Sequence, residues 1–128
     1  MSNHRVLNVG QCGVDSSQIS RFLKAKFQAQ AVSVDTLDEA LAALRSGTFE
    51  LVLINRLFDW DGTPGLDLIR AIKADPALAE IPLMLVSNYP TAQAEAIALG
   101  ALPGFGKAEI GKSKVDNVLM SIFDNVPS

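Results

Sequence analysis

The chain has 128 residues, 48% hydrophobic and 20% charged, with a net charge of −3, which fits one globular domain and excludes a disordered or low-complexity segment. That charge argues against nucleic-acid binding by bulk electrostatics, and no apolar run reaches the ~20 residues of a membrane span. The single cysteine, Cys12, cannot form an internal disulfide, and Met1-Ser2-Asn3-His4-Arg5 has no signal-peptide layout, so one cytoplasmic domain over 1–128 is expected.

Val6-Leu7-Asn8-Val9 reads as a short first strand, followed by the glycine-containing loop Gly10-Gln11-Cys12-Gly13. Asp15 with Gln18 has the spacing of a capping box, and Ile19, Phe22, Leu23 and Phe27 give the first helix a buried side, with Lys26 at its rim. Ala31-Val32-Ser33-Val34 is a second strand, towards an edge. Thr36 and Glu39 form another capping box before Leu37, Ala40, Leu41 and Leu44, and Gly47 ends that helix as a C′ residue.

From Phe49 and Glu50 the chain enters Leu51-Val52-Leu53-Ile54 and ends on Asn55. Consecutive apolar β-formers bounded by polar residues mark a strand buried on both faces, and the residue at its carboxyl end is where open α/β folds place their chemistry. A long mixed loop follows, and Pro64 sits near the first turn of a third helix carrying Leu66, Leu68, Ile69 and Ile72 and stopped by Asp75-Pro76. Ile81 to Val86 is a fourth apolar strand, ending on Ser87-Asn88. Pro90 opens a fourth helix with Ala94, Ile97, Ala98 and Ala101 inward, closing near Gly100. Pro103 to Gly106 is a small fifth strand before Lys107. Ser113 caps a fifth helix with Val115, Val118, Leu119 and Ile122 inward. Strand and helix alternate five times over short connections, which predicts an α/β parallel sheet covered on both faces by helices.

In this order the chain resembles the receiver domain of response regulators over nearly its whole length, which implies a flavodoxin-like (βα)5 doubly wound five-stranded sheet in the order 2-1-3-4-5. The resemblance is carried by Asp75-Pro-Ala-Leu-Ala-Glu-Ile-Pro-Leu before the fourth strand, by Gly65-Leu-Asp-Leu-Ile-Arg opening the third helix, and by Ala98-Leu-Gly-Ala ahead of Lys107. It implies a pocket with an acidic pair for Mg²⁺, an aspartate that accepts a phosphoryl group, a Ser or Thr, and a lysine that neutralises the phosphoryl charge. Ser87 and Lys107 fall on the last two. Gly10 and Gln11 fall on the acidic pair and Asn55 on the phosphoacceptor, where a neutral amide is a very poor nucleophile. The switch aromatic is missing, with Gly104 at its position and Phe105 beside it. Ala108 follows the lysine in place of proline. The first loop looks several residues longer than the family's, and the loop after Asn55 about two longer. The resemblance is therefore to a pseudo-receiver, with no cofactor and no metal.

Each residue also has a plainer reading. Asn55 either fixes a phosphate-independent state through bonds to Lys107, Ser87 or loop backbone, or is a polar relic. Ser87 and Lys107 either hold an anion or form a structural bond. Cys12, near a helix start, is either a thiol activated by the helix dipole or a small buried hydrophobe. Gly10-x-x-Gly13 could cradle a phosphate or merely shape a loop. Asp59, Asp61 and Asp67 fall short of a calcium set. Trp60 is an anchor for a partner or a lid over Asn55. His4, the sole histidine, lies at the terminus, and Met84 belongs to the core.

Three functions follow. The first is a phosphorylation-independent interaction module that binds a signalling protein, with no nucleic acid or membrane, as a monomer or weak homodimer. The resemblance places its contacts on the face formed by the fourth helix, fifth strand and fifth helix, through Gln93, Ala96, Phe105, Glu109, Lys112 and Asp116. No output domain follows in the sequence, so a separate partner is implied. The second is a small thiol-dependent or phosphate-binding enzyme using Cys12, Ser87 and Lys107. The third is residual receiver chemistry with Asp15 or Asp59 as the substitute acid.

Overall fold

The structure is a computed structural model that describes residues 4–124, with the side chain of Asp124 left out. Five strands, β1 (His4–Val9), β2 (Ala29–Val34), β3 (Leu51–Asn55), β4 (Leu83–Val86) and β5 (Leu102–Phe105), alternate with five helices. These are α1 (Gly13–Phe27), α2 (Leu37–Ser46), α3 (Gly65–Ala74), α4 (Pro90–Ala98) and α5 (Ser113–Asp124). All pairings are parallel, as the alternation predicts, and the sheet order is 2-1-3-4-5, as the resemblance implies.

Parallel strands joined by crossover helices must be covered on both faces, so the central strands have no polar side. Alternation along the pleat divides the core in two. Leu7, Val9, Val52, Ile54 and Leu85 meet α2, α3 and Ala96 of α4 on one face. Val6, Leu51, Leu53, Met84 and Val86 meet Ile19 and Leu23 of α1 and Val115 and Leu119 of α5 on the other. No described helix is long and apolar enough to cross a membrane.

Several boundaries differ from the sequence expectation. Helix α1 begins at Gly13 with Cys12 as N-cap, so Asp15 lies inside the first turn and is not the cap. Its carboxylate is turned away to Lys107. The first loop is therefore only Gly10, Gln11 and Cys12, not an extended one. The Thr36–Glu39 capping box is present in both directions. Gly47 closes α2 with extended backbone (φ −141°), not as a left-handed C′ residue. His4 is the first residue of β1 and bonds Glu50 at 2.6 Å.

The inward face of α4 is the clearest miss. Ala94, Ile97 and Ala98 are exposed, while Ala96 is fully buried and Ala92, Gln93 and Leu99 lie beside the sheet. An alanine-rich helix carries little apolar contrast for a periodicity argument. Its phase is set instead by a polar residue, Gln93. The Gln93 Nε2 donates to the carbonyl oxygens of Leu85 (2.8 Å) and Ser87 (3.1 Å), and its Oε1 accepts from Gly104 N (3.0 Å). It thereby bridges β4 and β5 where their register is irregular.

Candidate functional site

The carboxyl ends of β1 and β3 sit side by side at the point where strand order reverses, the crevice in which open α/β sheets bind ligands. Here the chain fills that crevice itself. Residues 56–64 leave β3, pair Leu57 with Pro64 in an antiparallel bridge, and turn back over β1. Phe58, at the root of this turn, is 1% exposed and joins the α2–α3 core. Its ring lies against Gly10, whose φ is +78° and where any Cβ would overlap the ring. Glycine is required twice over, by the backbone conformation and by the aromatic neighbour. The turn is fastened by Asp59 N donating to Gly10 O at 2.9 Å and Phe58 N to Thr63 O at 2.8 Å.

Asn55 completes the fastening. Its Nδ2 donates to Gly10 O (3.0 Å) and to Leu57 O (2.8 Å), and its Oδ1 accepts from Arg56 N (3.0 Å). An aspartate could accept the third bond but could donate neither of the others. Of the two readings of Asn55, the geometry places its amide on loop backbone, not on Lys107 or Ser87. Gln11 is buried, and neither end of its amide has a protein partner among the described residues.

Lys107 stands in the turn after β5, where its Nζ meets the Asp15 carboxylate at 2.7 Å. That hydrogen bond holds Asp15 below its ordinary pKa against an opposing effect of burial, with a smaller lowering by the nearby Cys12 thiol. Ser87 Oγ accepts from Tyr89 N at 3.1 Å, a local turn at the end of β4. The two residues line a cleft of about 320 Å³ together with Asn55, Arg56, Leu57 and Tyr89. Cys12 does not line it, so the structure does not bring Cys12, Ser87 and Lys107 into one cavity.

The receiver fold implies Mg²⁺ between the first loop and the end of β3. Gly10, Gln11 and Asn55 supply no carboxylate for it, and the Phe58 ring covers the side of Gly10 from which one would reach. These residues do not fit the ion.

The other candidates are scattered. Asp61 accepts from Thr63 N at 3.0 Å and Asp67 pairs with Arg70 at 3.2 Å. Trp60, at the apex of the turn, is 74% exposed and is not a lid over Asn55. On the α4–β5–α5 face, Phe105 (3% exposed) and Ala96 belong to the core and Gln93 to the strand bridge, so none is a free contact residue. Glu109 accepts from Gly106 N at 2.9 Å, and Asp116 faces Lys26 of α1 at 3.5 Å. Lys112 is exposed, and Ile97 and Leu102 join it as solvent-facing apolar residues. Phe58 and Arg56 had no signal of their own in the sequence beyond a connection longer than the fold needs, and Tyr89, between β4 and α4, had none.

Solved structures with this fold are numerous. The signal receiver domain of a DNA-binding response regulator from Colwellia psychrerythraea is 19% identical, with a TM-score of 0.81 over 96% of this chain and 100% of that one. A CheY-like receiver domain from Methylobacillus flagellatus is 22% identical, with a TM-score of 0.77 over 94% of this chain and 99% of that one. Chemotaxis protein CheY4 of Vibrio cholerae is 17% identical, with a TM-score of 0.70 over 98% of this chain and 100% of that one. This chain has the receiver fold. No protein-family model matches the sequence, and no curated protein matches it.

Proposed function

We propose that this chain is a receiver-like signalling domain that acts by binding a protein partner, without catalysis and without aspartyl phosphorylation. The observation that carries this reading is the use of Asn55. The residue at the phosphoacceptor position of the receiver fold is a donor to two carbonyl oxygens and closes a loop over the neighbouring strand end. A phosphoacceptor must be an ionised nucleophile facing an open metal site, and both conditions are reversed here. The partner of Lys107 is Asp15 from α1, so the lysine is engaged without any phosphoryl group.

In this reading the loop and Lys107 rest in one fixed arrangement, and the signal lies in the presence of the domain, not in its modification. The α4–β5–α5 face offers Ile97, Leu102 and Lys112 to a partner. The test is intact-mass spectrometry of the native chain after incubation with acetyl phosphate and Mg²⁺. No added phosphoryl mass is expected. An adduct would overturn the proposal, and its position, at Cys12 or at an acid such as Asp15 or Asp59, would identify the chemistry that replaces it.

A further inference from the structure

The crevice between β1 and β3 is closed by Phe58, but the adjoining one, across the ends of β3, β4 and the turn after β5, is open. Its lining includes Asn55, Ser87, Arg56 and Lys107. No carboxylate lines it, in a chain whose net charge is −3. Lys107 is held from one side by Asp15. Arg56 has no carboxylate within ion-pair reach among the described residues, and its guanidinium lies over the Tyr89 ring at 4.8 Å from the centroid. Stacking on an aromatic face orients a guanidinium while leaving its edge donors free.

Two residues of its lining, Leu57 and Tyr89 (57%), are exposed, and so is Trp60, further along the loop from Leu57 at the apex of the fastened turn. Trp60 is not loose: the turn beneath it is anchored by Phe58, by Asn55 and by the bond from Asp59 N to Gly10 O. An exposed tryptophan on an anchored turn, in the same loop as a stacked arginine, has the composition of an interface centre, since aromatic and arginine side chains dominate binding energy.

We infer that this end of the sheet docks an acidic linear segment of a partner protein. One carboxylate enters the cleft between Arg56 and Lys107, and neighbouring apolar side chains of the segment cover Leu57, Tyr89 and Trp60. The complementarity is electrostatic in the cleft and apolar at its rim. The inference rests on the contact-module reading and names the chemistry of the partner, and it adds a surface to the α4–β5–α5 face.

The experiment is selection of a random displayed-peptide library on the immobilised native chain. The winning peptides are then titrated against the chain in solution, with Trp60 fluorescence and backbone amide shifts as readouts. Expected winners carry Asp or Glu beside Leu, Phe, Tyr or Trp, and shift the amides of Arg56, Ser87 and Lys107. Replacing their acids by the matching amides, or making Arg56→Gln or Lys107→Gln, should weaken binding roughly tenfold or more. Trp60→Ala should also weaken it, and Leu102→Ser should not. Both Arg56 and Trp60 are exposed, so those variants keep the fold. Winners without acids, binding indifferent to Arg56, shifts confined to α4–β5–α5, or no winners would overturn the inference. So would displacement by inorganic phosphate with no dependence on Trp60, which would mark a simple anion pocket. None of these outcomes depends on the phosphoryl-mass result, so the two proposals fail separately.

Discussion

The Phe58 ring lies on the Cα of Gly10, in the space that a side chain at position 10 would occupy, and it joins the loop after β3 to the end of β1. This contact is self-reinforcing, because glycine makes room for the ring and the ring excludes any larger residue. Phe58→Ala should cost about 3–5 kcal/mol, the usual range for a buried aromatic. Gly10→Ala should be severely destabilising in the native background, through overlap and through the positive φ. In a Phe58→Ala background the ring overlap is gone, leaving the positive φ and the close Cα at position 58, so a double-mutant cycle in urea should still give a large coupling. Additive losses would mean that the ring does not dictate the glycine.

Restoring an aspartate at position 55 has a definite expected effect. Asn55→Asp removes both donors and directs a carboxylate at the carbonyl oxygens of Gly10 and Leu57. The expected cost is about 1–3 kcal/mol at neutral pH, the penalty of leaving partly buried acceptors unpaired. Chemical denaturation checks it. An Asn55→Asp variant as stable as the native chain would show that the amide is not what fastens the loop.

Asp15 and Lys107 predict a pH dependence. The lysine holds the Asp15 carboxyl below its ordinary value of 3.8. A carboxyl depressed in the folded state contributes stability that is fully present above that ordinary value and is lost as pH falls through the lower, folded one. Asp15→Asn should therefore lower stability by a few tenths to about 1 kcal/mol at neutral pH, as for a partly exposed ion pair. The difference from the native chain should shrink towards zero as the pH is taken well below 3.8. A difference that persists unchanged in acid would place its origin elsewhere, in helix α1.

What the sequence made legible follows from periodicity and order. Runs such as Leu51-Val52-Leu53-Ile54, short and bounded by polar residues, read as central strands, and their alternation with helices gives a parallel sheet, while the order 2-1-3-4-5 came from the family resemblance. The residues at strand ends, Asn55, Ser87 and Lys107, were locatable for the same reason. What was not legible depends on which polar group wins a competition in space. Asp15 and Gln18 have capping-box spacing, yet a lysine far along the chain takes the carboxylate. Phe58 and Trp60 are two aromatics in one polar loop, and nothing local says that the first is 1% exposed and the second 74%. Gln93 and Phe105 were both placed on a contact face by their positions in the resemblance, whereas the first bonds β4 and β5 backbone and the second is core.

Gln93 yields the last prediction. Its amide replaces ladder bonds that β4 and β5 do not make with each other around Gly104, giving two carbonyl oxygens a donor and one N–H an acceptor. Gln93→Leu fills a similar volume but leaves all three groups without that partner. Gln93→Glu keeps the acceptor and loses the donor. Leaving buried backbone groups unpaired costs about 1–3 kcal/mol, so the leucine variant should be destabilised by that amount or more. The glutamate variant should be destabilised too, and increasingly so as its carboxyl ionises, because the charge faces the carbonyl oxygens of Leu85 and Ser87. Hydrogen exchange checks the location, since the Gly104 amide should lose protection in the leucine variant before amides in β1 and β3. A loss of protection spread evenly over the sheet would mean that β5 is not held by this side chain.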